Sequence, residues 1–133
     1  MQRPNPHSGL RHLAIFVEAF DETRYFYTEL LGMEVEWEPD ADNVYLCSGN
    51  DNLALHRYSG DVRPRAGQRL DHLGFILATP EDVDEWCVFL RANEVLIKAE
   101  PRTHRDGARS FYCEDPDGNL VQMIYHPPIA DRG

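Results

Sequence analysis

The sequence contains the same short pattern twice, sixty residues apart. Residues 10–13 are Leu-Arg-His-Leu and residues 70–73 are Leu-Asp-His-Leu. An acidic stretch with helix-like spacing follows each copy. Repetition at a fixed period indicates one structural unit present twice. Residues at corresponding places in two repeats can meet near a symmetry axis, so His12 and His72 are candidates for one shared site.

Further along the chain the spacing between matching segments increases. An offset of 66 places residues 45–47, Tyr-Leu-Cys, opposite residues 111–113, Phe-Tyr-Cys. The same offset places His56 opposite Gln122. This alignment predicts six additional residues in the second copy, within segment 95–111.

Length and charge limit the class of protein. With 133 residues, of which 42% are hydrophobic, the chain suits one compact domain whose halves share a core. A net charge of −10 argues against nucleic acid or an anionic membrane as partner and favours a small molecule or a protein. No apolar run is long enough to cross a bilayer, and residues 1–8 lack the apolar core of a signal peptide, so a cytoplasmic location is expected.

The three cysteines indicate reduced thiols rather than a disulfide framework. Cys47, Cys87 and Cys113 are odd in number and widely spaced, and each has apolar or aromatic neighbours. Such residues usually pack as small hydrophobic side chains. The cysteines are therefore predicted to be structural.

Strand and helix signals give the first module the order β-α-β-β-β. His12–Val17 is a continuous apolar run rich in β-branched and aromatic residues, which predicts a strand buried on both faces or nearly so. Asp21 is predicted to cap a helix that ends near Gly32. Further strands are predicted at 33–37, 44–47 and 53–58.

The second module repeats this order. A strand is predicted at 72–77, and Pro80 lies in the first turn of the next helix. Further strands are predicted at 94–99, 110–114 and 120–125. The whole chain, 1–133, is thus predicted to form a single domain, with module one at about 9–58, a linker at 59–69 and module two at about 70–126.

Four segments, residues 10–17, 26–33, 71–75 and 111–120, resemble the vicinal oxygen chelate superfamily in their order and spacing. This group contains glyoxalase I, extradiol dioxygenases, fosfomycin-resistance enzymes and bleomycin-resistance proteins. The resemblance implies an α+β fold in which two tandem β-α-β-β-β modules form an open, curled mixed sheet around a central cleft. It also implies a divalent metal (Zn, Fe, Mn, Ni or Co), a small-molecule substrate and a homodimer.

The resemblance also assigns candidate metal ligands. By position, His12 and His72 match ligands on the first strands of the two modules, and Gln122 falls where the family most often places a glutamate. The fourth position stays open, because the family pattern places Ala54 there and the internal repeat places His56 there. These two residues lie two apart and so share a strand face. Only His56 could coordinate a metal or act as an acid-base group.

The predicted ligand set departs from the family in its charge. Two imidazoles and a carboxylate form the facial triad of oxygen-activating iron, but Gln122 offers only a neutral carbonyl oxygen and cannot serve as a general base. This disfavours strict glyoxalase I and extradiol dioxygenase chemistry. The sequence therefore favours a glyoxalase- or dioxygenase-like metal enzyme, a lyase, isomerase or dioxygenase in type, and leaves open a metal-free protein that sequesters a ligand as bleomycin-resistance proteins do.

The remaining candidates surround this predicted centre. His56 and Tyr112 are the candidate catalytic residues. His104 lies in the predicted insertion, where a loop could bring it and Arg109 against an anionic or phenolic substrate; the alternative is an ordinary surface hairpin. Tyr45 is a further candidate for substrate binding through an aromatic pocket, although aromatic strand residues also commonly pack a core.

Overall fold

The computed structural model describes residues 2–6, 8–58, 60 and 70–129. The chain divides into two compact units, residues 1–59 and 60–133, and each contains a four-stranded mixed sheet. The predicted α+β class with two tandem β-α-β-β-β modules is confirmed. Apart from Gly60, the predicted linker lies outside the described residues.

The described residues of the first unit form one helix and four strands. They are β1 (His12–Val17), α1 (Phe20–Tyr25), β2 (Glu34–Asp40), β3 (Asn43–Cys47) and β4 (Asn52–Arg57). The helix continues as a π-helical turn at Phe26–Leu30. The strand order is β1-β4-β3-β2, with β1 parallel to β4 and the other pairs antiparallel.

β1 has the predicted bounds, but the prediction that both its faces are buried is wrong. His12, Ala14 and Phe16 are exposed, whereas Val17 is fully buried. One face of this mixed sheet lies under the helix, so burial along the strand has a period of two. Exposed apolar residues on the opposite face give the sequence its continuous apolar run.

The first helix begins earlier than predicted. Ala19 is its N-cap, and Asp21 lies inside the first turn, where a carboxylate interacts favourably with the helix dipole. The prediction that Asp21 caps the helix is therefore wrong. Gly32 ends the helical region as predicted, because its φ of +82° is a conformation that glycine adopts at little cost.

The second unit repeats this arrangement. Its elements are β5 (Leu73–Ile76), α2 (Pro80–Ala92), β6 (Ile97–Thr103), β7 (Arg109–Glu114) and β8 (Leu120–Tyr125). The strand order is β5-β8-β7-β6, with β5 parallel to β8. β6 starts later than predicted because Glu94 has a φ of +65°, which is incompatible with an extended strand.

α2 begins at Pro80, as predicted. A capping box joins the side chain of Thr79 to the backbone of Asp82 and the side chain of Asp82 to the backbone of Thr79.

Among the described residues, neither this helix nor any other is long and apolar enough to cross a membrane.

One face of each sheet carries the apolar core of its unit. In the second unit this face contributes Phe111, Cys113, Val121 and Met123, and α2 contributes Val83, Cys87 and Leu90. In the first unit the same face contributes Val17, Val44, Leu46, Leu53 and Leu55. Since strand side chains alternate, the polar and aromatic candidates fall on the opposite faces.

Candidate functional site

Strand pairing shows which residues of the two modules correspond. Ala14 on β1 pairs with Ala54 on β4, and Gly74 on β5 pairs with Gln122 on β8. Ala14 and Gly74 are sixty residues apart, the spacing of the repeated motif. Ala54 is therefore the structural counterpart of Gln122, at an offset of 68. The alignment of His56 with Gln122 at an offset of 66 is wrong.

The same comparison relocates the extra residues of the second module. Tyr45 pairs with Ala54 on β4, and Tyr112 pairs with Gln122 on β8, so the two tyrosines correspond at an offset of 67. Seven additional residues, rather than six, thus precede β7, and one more lies in the turn before β8. The hairpin loop 104–108 contains much of this insertion.

His12 lies beside Asn52 on the face of the first sheet opposite the core. Its Nδ1 is 2.6 Å from Asn52 Oδ1, and Asn52 Nδ2 donates to Glu36 Oε1 at 2.8 Å. The carboxylate accepts, so the asparagine amide must donate to it and offer its oxygen to the ring. His12 therefore engages Nδ1 with this oxygen, and Nε2 is its other ring nitrogen.

His56 has the same arrangement of partners. Its Nδ1 is 2.6 Å from Asn43 Oδ1, and Asn43 Nδ2 donates to Asp40 Oδ1 at 2.8 Å. Hydrogen bonds from the Asp42 backbone N–H and the Asn43 amide lower the pKa of Asp40, which favours its carboxylate form. His56 likewise engages Nδ1, and Nε2 is its other ring nitrogen.

Aromatic side chains surround His56. The rings of Phe16 and Tyr45 lie 5.6 Å and 6.0 Å from the imidazole, centroid to centroid. Tyr45 stacks on Trp37 at 5.1 Å with an interplanar angle of 21°, and Trp37 is 59% exposed. The structure thus brings the candidates Tyr45 and His56 together, next to an exposed aromatic surface.

In the second unit, His72 contacts an acidic neighbour and a tyrosine. Its Nδ1 is 2.6 Å from Asp71 Oδ2, so this ring also has Nε2 available for a ligand. The ring of Tyr112 meets the imidazole edge-on at 5.4 Å. The Asp-His pair was visible in the sequence, whereas the tyrosine contact requires β5 and β7 to lie on either side of β8.

Gln122 and His104 share a serine that the sequence analysis missed. Gln122 Nε2 donates to Ser110 Oγ at 3.1 Å, and His104 Nε2 is 3.3 Å from the same oxygen. Gln122 Oε1 thus remains as an acceptor, and Gly74 leaves space beside it, since a Cβ there would lie 3.9 Å from Oε1. Ser110 precedes Tyr112 by two residues, and this spacing would have placed both on one face.

Arg109 lies on the other side of this sheet. Its guanidinium donates to both Asp84 oxygens, at 2.7 Å and 3.2 Å, and to Thr103 Oγ1 at 2.9 Å. The arginine lowers the pKa of Asp84, and the carboxylate raises that of the guanidinium. Arg109 therefore connects β7 to α2, and the structure does not bring it together with Gln122 as a substrate contact.

The donor groups of each unit, taken separately, suit a divalent cation in their chemistry. Within the described part of the chain, no three His, Cys, Asp or Glu side chains gather into a metal-binding group. Nevertheless, His12, His56 and His72 each have Nδ1 engaged and Nε2 available, the orientation that second-shell partners impose on metal-binding histidines. Gln122 adds a carbonyl oxygen.

A family model described as the Glyoxalase/Bleomycin resistance protein/Dioxygenase superfamily matches residues 9–123. The chain belongs to this superfamily. The resemblance drawn from the sequence is thereby confirmed. Among the relatives of this chain is the metallothiol transferase FosB of Staphylococcus epidermidis, which is 25% identical over 87% of the chain and 80% of the relative. A manganese-dependent 2,3-dihydroxybiphenyl 1,2-dioxygenase of Geobacillus genomosp. 3 is 22% identical over 92% of the chain and 38% of the relative.

Solved structures of other proteins share the fold. A lactoylglutathione lyase from Agrobacterium tumefaciens superposes with a TM-score of 0.74 and 23% identity, covering 91% of this chain and 96% of that one. An integron cassette protein from V. cholerae gives a TM-score of 0.67 and 26% identity, covering 93% and 99%. Both likenesses span nearly the whole chain.

Proposed function

We propose that this protein is a metal-dependent enzyme that acts on a small oxygenated molecule. The observation that carries the proposal is the common orientation of the donors: His12 and His72 engage Nδ1 and leave Nε2, and Gln122 engages Nε2 and leaves Oε1. Hydrogen bonds of this kind set the ring tautomer and the ring orientation in metal sites. Two of the relatives, the metallothiol transferase and the manganese-dependent dioxygenase, have names that refer to a metal, and this supports the same class of function.

In this proposal His12, His72 and Gln122 supply the metal ligands. The metal would be Zn, Fe, Mn, Ni or Co, all of which accept imidazole nitrogen. When bound, it would act as a Lewis acid on vicinal oxygens of the substrate. A neutral set of protein ligands leaves the cation's charge largely uncompensated, which favours an anionic substrate.

His56 and Tyr112 are the proposed acid-base groups. The unprotonated Nε2 of His56 can accept a proton, and its ring is held between Phe16 and Tyr45. The phenol of Tyr112 can donate a hydrogen bond to a substrate oxygen. Tyr45 and His104 are the proposed substrate contacts. Reactions of the lyase, isomerase or dioxygenase type all fit this set of groups, in a protein that we expect to be a cytoplasmic homodimer.

Elemental analysis tests the proposal directly. Protein purified without chelator or a nickel column should hold about one metal per chain. His12→Ala and His72→Ala should lose that metal while their circular dichroism stays unchanged. His126→Ala, which removes a histidine just after β8, is the matched control and should retain it. Unchanged metal content in the His12 and His72 variants would contradict the proposal.

The exposed stack of Trp37 on Tyr45 favours a second candidate function, sequestration of an aromatic or cationic ligand without chemistry. A chain with this function would bind no metal and would show saturable quenching of Trp fluorescence by a basic glycopeptide. Trp37→Phe should abolish the quenching, and Trp86→Phe in α2 should not. Absence of a saturable response would exclude this candidate.

A further inference from the structure

We propose that Asn52 and Asn43 are positioning residues, each of which holds a histidine in the tautomer with hydrogen on Nδ1. Asn52 acts on His12 and Asn43 acts on His56. The part that concerns metal binding by His12 rests on the proposed function. The tautomer itself is a property of the metal-free protein and is tested separately.

The same relay, a chain of hydrogen bonds from a histidine through an asparagine to a carboxylate, occurs twice in the first sheet. In both relays the ring nitrogen lies 2.6 Å from an asparagine oxygen, and the asparagine nitrogen lies 2.8 Å from a carboxylate. In both, the histidine and the asparagine are in-register neighbours on adjacent strands. His12 pairs with Asn52 across β1 and β4, and Asn43 pairs with His56 across β3 and β4.

The carboxylate at the end of each relay sets the direction of its hydrogen bonds. An ionised carboxylate has no hydrogen, so it can only accept. The amide therefore turns its nitrogen toward the carboxylate, which is Glu36 in one relay and Asp40 in the other. The amide oxygen must then face the ring, and only a ring N–H can complete the bond. Each carboxylate thus determines the tautomer of a histidine that it does not touch.

The tautomer with hydrogen on Nδ1 is not the one that water favours. A neutral histidine side chain in water prefers the hydrogen on Nε2, which would leave Nδ1, close to the backbone, as the basic nitrogen. The relays reverse this preference, so that the basic nitrogen becomes Nε2, the outer atom of the ring. A ligand or a substrate proton beyond the sheet face would then meet a lone pair rather than an N–H group.

The test is nitrogen NMR of the metal-free, histidine-labelled protein at about pH 9, where imidazoles with an ordinary pKa near 6.5 are neutral. Long-range proton–nitrogen correlations distinguish the two tautomers. We expect His12 and His56 to have hydrogen on Nδ1. Asn52→Leu should convert His12 alone, and Asn43→Leu should convert His56 alone, to the Nε2–H form.

Aspartate variants separate positioning from a merely structural role. Asn52→Asp and Asn43→Asp keep an acceptor toward the ring, so both should retain the Nδ1–H tautomer that the leucine variants lose. Asn50→Leu, in the exposed turn before β4, is the matched control and should change neither ring. Nε2–H tautomers in the parent, or unchanged tautomers in both leucine variants, would overturn the inference.

Zinc binding measured on the same proteins distinguishes failure of this inference from failure of the proposed function. Asn52→Leu should weaken zinc affinity by about tenfold to a hundredfold, the usual effect of losing a second-shell partner, and Asn43→Leu should not change it. Equal zinc affinity in Asn52→Leu and the parent would overturn the role of Asn52 in metal binding. If the tautomers behave as expected but the parent binds no metal, the relays stand and the metal-dependent function falls.

Discussion

Gln122 on β8 donates a hydrogen bond from Nε2 to Oγ of Ser110 on β7, at 3.1 Å. Ser110 is only 3% exposed, so a buried hydroxyl rather than solvent sets the orientation of this amide. Oε1 is left as the acceptor that remains available. Ser110 thus holds Gln122, which occupies the position where the family most often has a glutamate, in a defined orientation.

Gln122→Glu should therefore bind zinc about tenfold more tightly than the parent, which corresponds to about 1.4 kcal/mol. The carboxylate can still accept a hydrogen bond from Ser110, and it adds the negative charge that the neutral ligand set lacks. Competition with a chromophoric chelator measures the affinity. Gln122→Leu, which removes both donor and acceptor, should bind more weakly than the parent. Equal affinity of the Glu variant and the parent would mean that residue 122 does not contact the metal.

Asp84→Asn should reduce stability at neutral pH and have no effect in acid. Arg109 lowers the pKa of Asp84 below its ordinary value of 3.8. A group whose pKa is lowered in the folded state stabilises the protein above its unfolded pKa, and this contribution is lost as the pH falls through the folded pKa. Urea midpoints at a series of pH values should show a gap between parent and variant at pH 7 that closes as the pH falls below 3.8, the ordinary pKa of the carboxyl group. Glu81→Gln, in the same helical turn, should show no comparable gap, and a gap that persists at low pH would contradict this explanation.

Cys113 should resist alkylation in the native protein. Burial raises the pKa of its thiol to about 12, so the thiolate fraction at pH 8 is on the order of one in ten thousand. Cys47 is only half-buried. Iodoacetamide at pH 8 followed by peptide mass spectrometry should modify Cys47 first and Cys113 only after unfolding in urea. Rapid modification of Cys113 without denaturant would show that the second sheet is not packed as described.

Phe111→Ala should destabilise the protein by about 3–4 kcal/mol, because it removes a fully buried ring from the core between β7 and α2. Phe89→Ala, on the outer side of α2 where the ring is 43% exposed, should cost no more than about 1 kcal/mol. Chemical denaturation provides both values. Similar losses in the two variants would contradict the assignment of the core face.

The elements whose bounds were predicted correctly from the sequence are those with local sequence signals. β1 and β8 have the predicted bounds, and α2 begins at Pro80 inside a capping box. The boundaries that were predicted wrongly depend on the backbone conformation of individual residues. Glu94 adopts a positive φ and delays β6, and Ala19 rather than Asp21 starts the first helix.

Sequence alone determined the two modules and the shared strand face of Ala54 and His56, because side-chain alternation is a local property with a period of two residues. It could not choose between Ala54 and His56 as the counterpart of Gln122, since a shift of two residues leaves that face unchanged. Only the tertiary structure decided this, through the parallel pairing of β4 with β1 and of β8 with β5. It also supplied the partners that orient His12, because Asn52 lies forty residues away in the chain.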